Sequence, residues 1–396
     1  MLHRDYVADP VPLVDRMLRE QPIAPDPRLG GWLIGRYRDI VALQRDPRMH
    51  SIRTAYVTAA LSPELRALIA PLAGWYEEWM PMKDPPDHTR LRRLAAPAFQ
   101  PRNLIKLERR IEQVVDQILD GVMAAGQMDV VREFAFALPG IIIGDMVGVP
   151  EADHHLLLPW THDIMDLLGA NLNTVESITR ALRSREQMFA YIRDLVEDRR
   201  KRPVDGEILS SLVSASDAGD RLSMDELLTM VASIIVGGYE TTAHLIANGT
   251  LLLLQHPEQL AMLRDDPALI PGAIEEMLRF DPSPSFNTRT VREAFEYEGH
   301  RFEPGQILYL IVIAANRDPE RFPDPHRFDV TRRDNAHLTF GFGIHFCMGA
   351  ALGRMEARIA FQRLLARLPG LTLAEQQIER QPSMAMRALE RLVVRW

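Results

Sequence analysis

The sequence predicts a mainly α-helical fold with small β-sheets, an α+β chain. Over long stretches apolar residues recur at steps of three and four, as in helices that bury one face. Only a few short runs read as strands, and one of them, 306–312, follows a Pro304-Gly305 turn. In chain order, Gly31-Trp32-Leu33-Ile34-Gly35 is the first strand. Leu107, Ile111, Val114, Ile118 and Val122 then mark the buried face of a helix. A second helix runs through 186–201. A third, over about 223–254, opens on the capping box Ser223-Met224-Asp225-Glu226. At about 1.5 Å per residue, such a helix crosses a small domain from side to side. After the 306–312 strand comes an amphipathic helix over 348–368, and 391–395 is a last strand.

With 396 residues, 46% hydrophobic and 25% charged, the chain can bury a large core. Length alone suggests two or three domains of about 100–200 residues. No Gly/Ser linker, repeat or low-complexity tract divides it, so one domain over 1–396 is expected. Met1-Leu2-His3-Arg4-Asp5 holds no apolar core of a signal peptide or anchor. The longest mostly apolar stretch, Leu227 to Tyr239, falls short of the roughly 20 residues that span a bilayer. A cytoplasmic protein without a membrane contact is expected. The net charge of −8 argues against nucleic acid as a partner, because phosphate binding needs a basic footprint.

The one cysteine, Cys347, lies in Phe340-Gly341-Phe342-Gly343-Ile344-His345-Phe346-Cys347-Met348-Gly349, ahead of the last predicted helix. Free N–H groups and the helix dipole there favour a thiolate, so a lowered thiol pKa is expected. Gly341, Gly343 and Gly349 let a flat macrocycle approach the backbone, Phe340 can pack on its face, and His345 can reach an anionic edge group. A single Cys excludes intramolecular disulfides and Cys-rich zinc sites. A buried inert thiol is the plain alternative; with these flanks, a haem iron held by one cysteine sulfur is the better reading. The long helix also carries an anomaly, since Gly237 and Gly238 each cost about 1 kcal/mol against Ala in a helix interior. A kink with a solvated Glu240 is the alternative to a functional gap there.

These residues bring a family into view. The segment 340–349 resembles the haem-ligand loop of the cytochrome P-450 family, the haem-thiolate monooxygenases. Gly237-Gly238-Tyr239-Glu240-Thr241-Thr242 is similar to its oxygen-activation motif. Glu276-Met277-Leu278-Arg279 is similar to its Glu-x-x-Arg motif, with Pro325-His326-Arg327-Phe328 as the later segment that completes it. His88-Thr89-Arg90-Leu91-Arg92 resembles the propionate-binding segment of the bacterial soluble branch. Four such strings in family order span most of the chain.

The resemblance implies the family's fold, with the long helix over a haem b whose iron is held by Cys347. Glu240 and Thr241 would deliver protons for oxygen activation, while Thr242, on another face, would be structural. Glu276, Arg279 and Arg327 would form a buried triad bracing the Cys347 loop. An exposed Glu276–Arg279 pair would be the ordinary reading of that spacing. His88, Arg92, Arg289 and His345 would hold the haem carboxylates, with Phe340, Gly341 and Gly349 also against the haem. Trp79, Met80, Leu168, Ile235, Gly238, Phe286 and Met386 would line a pocket for a medium to large apolar substrate of terpene, steroid, fatty acyl or macrolide-like type.

No dinucleotide or flavin fingerprint is present, and Gly341-Phe342-Gly343 lacks the third glycine of a Rossmann turn. Electrons from NAD(P)H would arrive only through a ferredoxin and its reductase, docking on a basic cluster of Arg90, Arg93, Arg102, Lys106, Arg109 and Arg110. A solvated face is the alternative for that cluster. The expected reaction of this monomer inserts one oxygen atom of O2 into a C–H or C=C bond. A peroxide-driven hydroxylase and a haem-thiolate gas sensor remain the alternatives, and neither needs the Glu240-Thr241 pair.

Overall fold

The computed structural model describes residues 6–52, 54, 58, 61–168, 174–217 and 222–396. The helices used below are α1 (Val11–Glu20), α2 (Pro63–Glu77), α3 (Asp87–Ala95), α4 (Pro101–Met123) and α5 (Ala137–Val147). They continue with α6 (Leu157–Leu168), α7 (Val175–Lys201), α8 (Met224–Gln255), α9 (Ile270–Phe280) and α10 (Ala350–Arg367).

The face expected on α4 is the one that packs: Ile111, Val114 and Val122 are buried, with Leu107 and Ile118 partly so. Helix α7 begins well before 186, because Thr174 caps it by accepting the Ser177 N–H at 3.1 Å. Helix α8 opens on the expected capping box, with Ser223 accepting the Glu226 N–H at 3.1 Å and Glu226 accepting the Ser223 N–H at 2.8 Å. It runs without a break through Gly237 and Gly238.

Around α8 pack α5, α6, α7, α9 and α10, so most of its surface is buried. By length and composition alone α8 could cross a membrane, but 78% of its apolar window is inside the protein, as in a core helix. Gly238 permits close approach of α5, since a Cβ there would meet Ile143 Cδ1 at 3.0 Å.

The sheets are small and lie to one side. Strands β1 (Ile23–Asp26), β2 (Gly31–Ile34), β3 (Met49–His50), β5 (Asn287–Val291) and β8 (Ile307–Leu310) form one sheet of order β1-β2-β8-β5-β3. Only β2 and β8 pair in parallel. Strand β8 is shorter than the 306–312 run, because the chain turns into a short helix at Val312–Ala315. Strands β4 (Gln127–Asp129), β9 (Thr372–Leu373) and β10 (Val393–Arg395) form a second sheet, and β6 (Phe295–Tyr297) with β7 (His300–Phe302) a hairpin.

Candidate active site

Gly341 and Gly343 at φ +74° and +72° take the left-handed conformation that bulkier residues avoid, so the 340–347 loop closes on itself. Its closure is a hydrogen bond from the Cys347 N–H to the Phe340 carbonyl at 2.8 Å. Helix α10 starts three residues past Cys347. Cys347 looks into an internal cavity of about 320 Å³. Although the Cys347 side chain is exposed to the cavity, its thiol is pushed up rather than down: desolvation by the protein around it outweighs the N–H groups of Gly349 and Ala350 and the Arg92 and Arg354 charges. The expected lowering counted the helix terminus and omitted the loss of water around the sulfur.

Another wall of the cavity is built by α8. Ile234, Gly237, Gly238, Thr241, Thr242 and Leu245 line the cavity, a stripe at steps of three and four. Thr241 Oγ1 donates to the Gly237 carbonyl at 2.9 Å, and a Cβ on Gly237 would meet nothing within 4 Å. Thr242 also reaches this wall, contrary to the expectation that it faces elsewhere.

Glu240 is turned away from the cavity. Its carboxylate lies 3.4 Å from His162 Nδ1 on α6 and 3.9 Å from His244 Nε2 one turn on. Burial pushes the Glu240 carboxyl up, against the pull of His162. Glu240 holds the half-exposed His162 above the ordinary imidazole range, while burial takes His244 down to about 4. Neither histidine was singled out by sequence. His244 is readable as the i+4 partner of Glu240; His162 is 78 positions away and meets it only by packing.

The remaining donors converge on the same cavity. His88 and Arg92 come from α3, Arg289 from β5 and His345 from the Cys347 loop. The rings of His88 and His345 are 4.2 Å apart, and Arg92 Nη2 donates to the Phe346 carbonyl at 2.8 Å. His88 Nε2 is buried without a hydrogen-bond partner. Burial and the Arg92 charge keep His88 below the ordinary imidazole range. No Asp or Glu is among the described residues lining the cavity. Buried cationic donors without carboxylates fit a ligand that brings its own anionic groups, and Cys347 with the Gly237 gap fits a flat metal macrocycle; haem b satisfies both.

Four residues expected in the substrate lining stand outside it. Ile235 is buried one residue from Ile234, about 100° round α8. Phe286 precedes Asn287 and Arg289, which line the cavity, so strand alternation sends it to the other side, where it packs edge-on against Tyr309 with ring centroids 5.6 Å apart. Met386 packs partly buried against that same cluster, its sulfur 3.9 Å from Ser283 Oγ. Trp79 closes an aromatic group with Trp75 and Tyr76 at 5.1 and 5.2 Å. Met80 and Gly238 do line the cavity; the Leu168 side chain lies outside the described residues. Gln44 and Ser233 also line it and were missed. Ser233 lies eight residues before Thr241, close to the same stripe.

The triad needs a correction. Glu276 and Arg279 are fully buried and doubly hydrogen-bonded, both contacts at 2.8 Å. Their third member is Arg332, with Nε 3.2 Å from Glu276 Oε2, and Asn335 Nδ2 donates to Glu276 at 3.0 Å. Arg327 instead has its side chain in solvent, and only its carbonyl accepts from Arg279, at 3.2 Å. The linkage reaches the Cys347 loop: Arg279 donates to the Asn316 carbonyl at 2.9 Å, and Asn316 accepts the Leu338 N–H at 2.8 Å. Glu275 adds a second brace through Arg354 at 2.7 Å and His337 at 3.2 Å, which hold its carboxyl at about 2 despite burial. Arg354 also lies 4.4 Å over the Phe340 ring.

Comparison with known proteins agrees with this geometry. Residues 72–390 match the family described as Cytochrome P-450. The chain is 39% identical over 388 residues to cytochrome P-450 107B1 of Saccharopolyspora erythraea, covering 96% of this chain and 93% of that one. It is 37% identical over 387 residues to the 6-deoxyerythronolide B hydroxylase of the same organism, covering 96% and 94%. Its structure resembles that of P450BioI, solved in complex with an acyl carrier protein ligated to hexadec-9Z-enoic acid, with a TM-score of 0.91, 33% identity, and 99% and 100% of the two chains covered. A loop bearing the one cysteine, a glycine-gapped helix and a carboxylate-free basic cradle around one cavity, together with these likenesses, establish that the chain belongs to the cytochrome P-450 family of haem b monooxygenases.

Proposed function

We propose that this monooxygenase oxygenates a medium to large apolar molecule of fatty acyl or macrolide-like type, using electrons from a ferredoxin and its reductase. The observation that carries the reading is the α8 stripe, in which Thr241 and the Gly237 gap share one cavity with Cys347 and with apolar groups such as Ile143, Ile234, Leu245 and Met80. The names of the relatives, a macrolide-ring hydroxylase and a protein seen with an acyl carrier protein, agree with that substrate class.

Haem b, when bound, supplies the iron and the oxidation chemistry. Cys347 would hold its iron through the sulfur. His88, Arg92, Arg289 and His345 hold the cofactor carboxylates as charge-assisted hydrogen-bond donors. Thr241 Oγ1 presents a hydroxyl to the cavity while it donates to Gly237. Behind it stand Glu240, whose carboxyl burial pushes up, and the half-exposed His162 3.4 Å away, which together would carry protons in from solvent. The Glu276–Arg279–Arg332 network braces the Cys347 loop. The chain acts as one domain, because cavity residues from Gln44 to Gly353 surround a single site.

The basic cluster contributes less to ferredoxin docking than its sequence suggests. Arg90 is engaged by Glu226, Arg110 by Asp145 at 2.7 Å, and the Arg102 side chain lies outside the described residues. Lys106 lies 3.8 Å from Asp205, and Arg93 and Arg109 are exposed.

The test is turnover with a ferredoxin and its reductase, on compounds chosen by a screen for the low-spin to high-spin shift. Oxygenated product that requires NAD(P)H and both redox proteins is expected. Product formed equally well from peroxide alone would replace this reading with a peroxide-driven enzyme.

A further inference from the structure

His88, Arg289 and His345 come from three separate segments, and Asp84 is hydrogen-bonded to a residue in or next to each of those segments. Asp84 Oδ2 accepts from His50 Nδ1 at 2.8 Å and from Arg292 Nη2 at 3.0 Å. Its Oδ1 accepts the Ser51 N–H at 3.1 Å, and its backbone carbonyl accepts the His88 N–H at 3.0 Å. Ser51, almost fully buried, places its Oγ 2.7 Å from His345 Nε2. Arg292 stands three residues past Arg289, just beyond the end of β5. Arg292 Nε also lies 3.2 Å from His50 Nε2, and its Nη2 3.1 Å from His50 Nδ1.

We propose that Asp84 is a positioning residue for the cofactor: through Ser51 it fixes His345, and through Arg292 it anchors the end of the β5 strand that carries Arg289, so that the cradle for the haem carboxylates is assembled before haem enters it. Asp84 lines no part of the cavity, so its effect passes through the residues that do. Burial pushes its carboxyl up, but hydrogen bonds from His50 and Ser51 outweigh that and hold it below the ordinary range, which leaves the charge that Arg292 needs.

The physical reason is the cost of gathering buried polar donors, one of them a guanidinium, in one site. Arg289 and the donors of His88 and His345 crowd one cavity with no lining carboxylate. Without an anion behind them, they would relax apart whenever the cofactor's carboxylates are absent. Partners one shell out orient the groups that bind and are worth about 10–100-fold in affinity at metal sites.

The inference rests on the cradle reading above, and the experiment separates the two. Transfer of haem from ferric holoprotein to excess apomyoglobin is timed, and the ferric/ferrous potential is measured alongside. Asp84→Asn is expected to release haem about tenfold faster and to shift the potential, with the thiolate band under carbon monoxide retained. Ser51→Ala should act in the same direction but less strongly. The double variant should lose haem little faster than Asp84→Asn alone, since both substitutions break one linkage.

Arg289→Leu tests the cradle itself, and wild-type haem loss in that variant would remove the cradle reading. If Arg289→Leu accelerates loss while Asp84→Asn keeps the wild-type rate and potential, the cradle stands and the positioning role of Asp84 is overturned. Independent, multiplying effects of Asp84→Asn and Ser51→Ala would overturn it too. Should Asp84→Asn fail to fold, Ser51→Ala and His50→Gln carry the test, and wild-type haem retention in both refutes the proposal.

Discussion

Glu240 and Thr241 are adjacent, yet about 100° of helical turn gives them different surroundings. Thr241 faces the cavity and Glu240 faces His162, so the pair spans the wall of α8. Thr241→Ala should therefore bind haem and substrate normally but send reducing equivalents to hydrogen peroxide, measured as product formed per NAD(P)H consumed; unchanged coupling would remove Thr241 from the relay. Cys347 is the other residue with a one-atom role. Wild-type protein, reduced under carbon monoxide, should show the red-shifted Soret band of a thiolate-bound haem, and Cys347→Ser should lose it. Since the surrounding protein raises this thiol, a bound iron would have to supply the positive charge that stabilises its thiolate.

At the scale of elements, helix α9 and the 316–339 segment act as one unit. Glu276 accepts the Asp329 N–H at 3.0 Å as well as Arg279, Arg332 and Asn335, so one carboxylate gathers four partners. Removing one charge from a buried network leaves the others uncompensated, at about 3–5 kcal/mol. Arg332→Ala should thus destabilise by an amount of that order, read by denaturant unfolding, and loosen haem. Arg327→Ala, an exposed change, should stay within about 0.5 kcal/mol. The reverse ranking would restore Arg327 as the third member.

For the whole molecule, the buried histidine on α8 couples stability to pH. His244 falls from an ordinary 6.5 to about 4 because burial disfavours its charged form. Between those values the unfolded chain binds the extra proton and the folded chain does not, so stability falls as pH drops from about 6.5 towards 4. The loss is at most about 3 kcal/mol, at roughly 1.4 kcal/mol per pKa unit. His244→Phe should flatten that limb of the stability–pH curve, measured by urea midpoints at several pH values; an equally steep limb would show that other groups govern it.

Much of this protein was readable along the chain, because the relevant signals are local. The glycines beside Cys347, the capping box at Ser223, the i, i+3 spacing of Glu276 and Arg279 and the i, i+4 spacing of His88 and Arg92 are each set within one turn or loop. Counting back from Thr241 by three, four and seven would also have chosen Ile234 over Ile235, so that error was avoidable. Other features depend on which surfaces meet. Arg332 displaced Arg327 because the 325–335 loop folds back towards α9, and no local periodicity encodes that return. His162 reaches Glu240, and Asp84 reaches Ser51 and Arg292, only once helices and strands far apart in sequence have packed. The direction of the Cys347 pKa was likewise decided in three dimensions, since desolvation depends on every group around the sulfur, whereas the sequence by itself determined only where along the chain that sulfur stands.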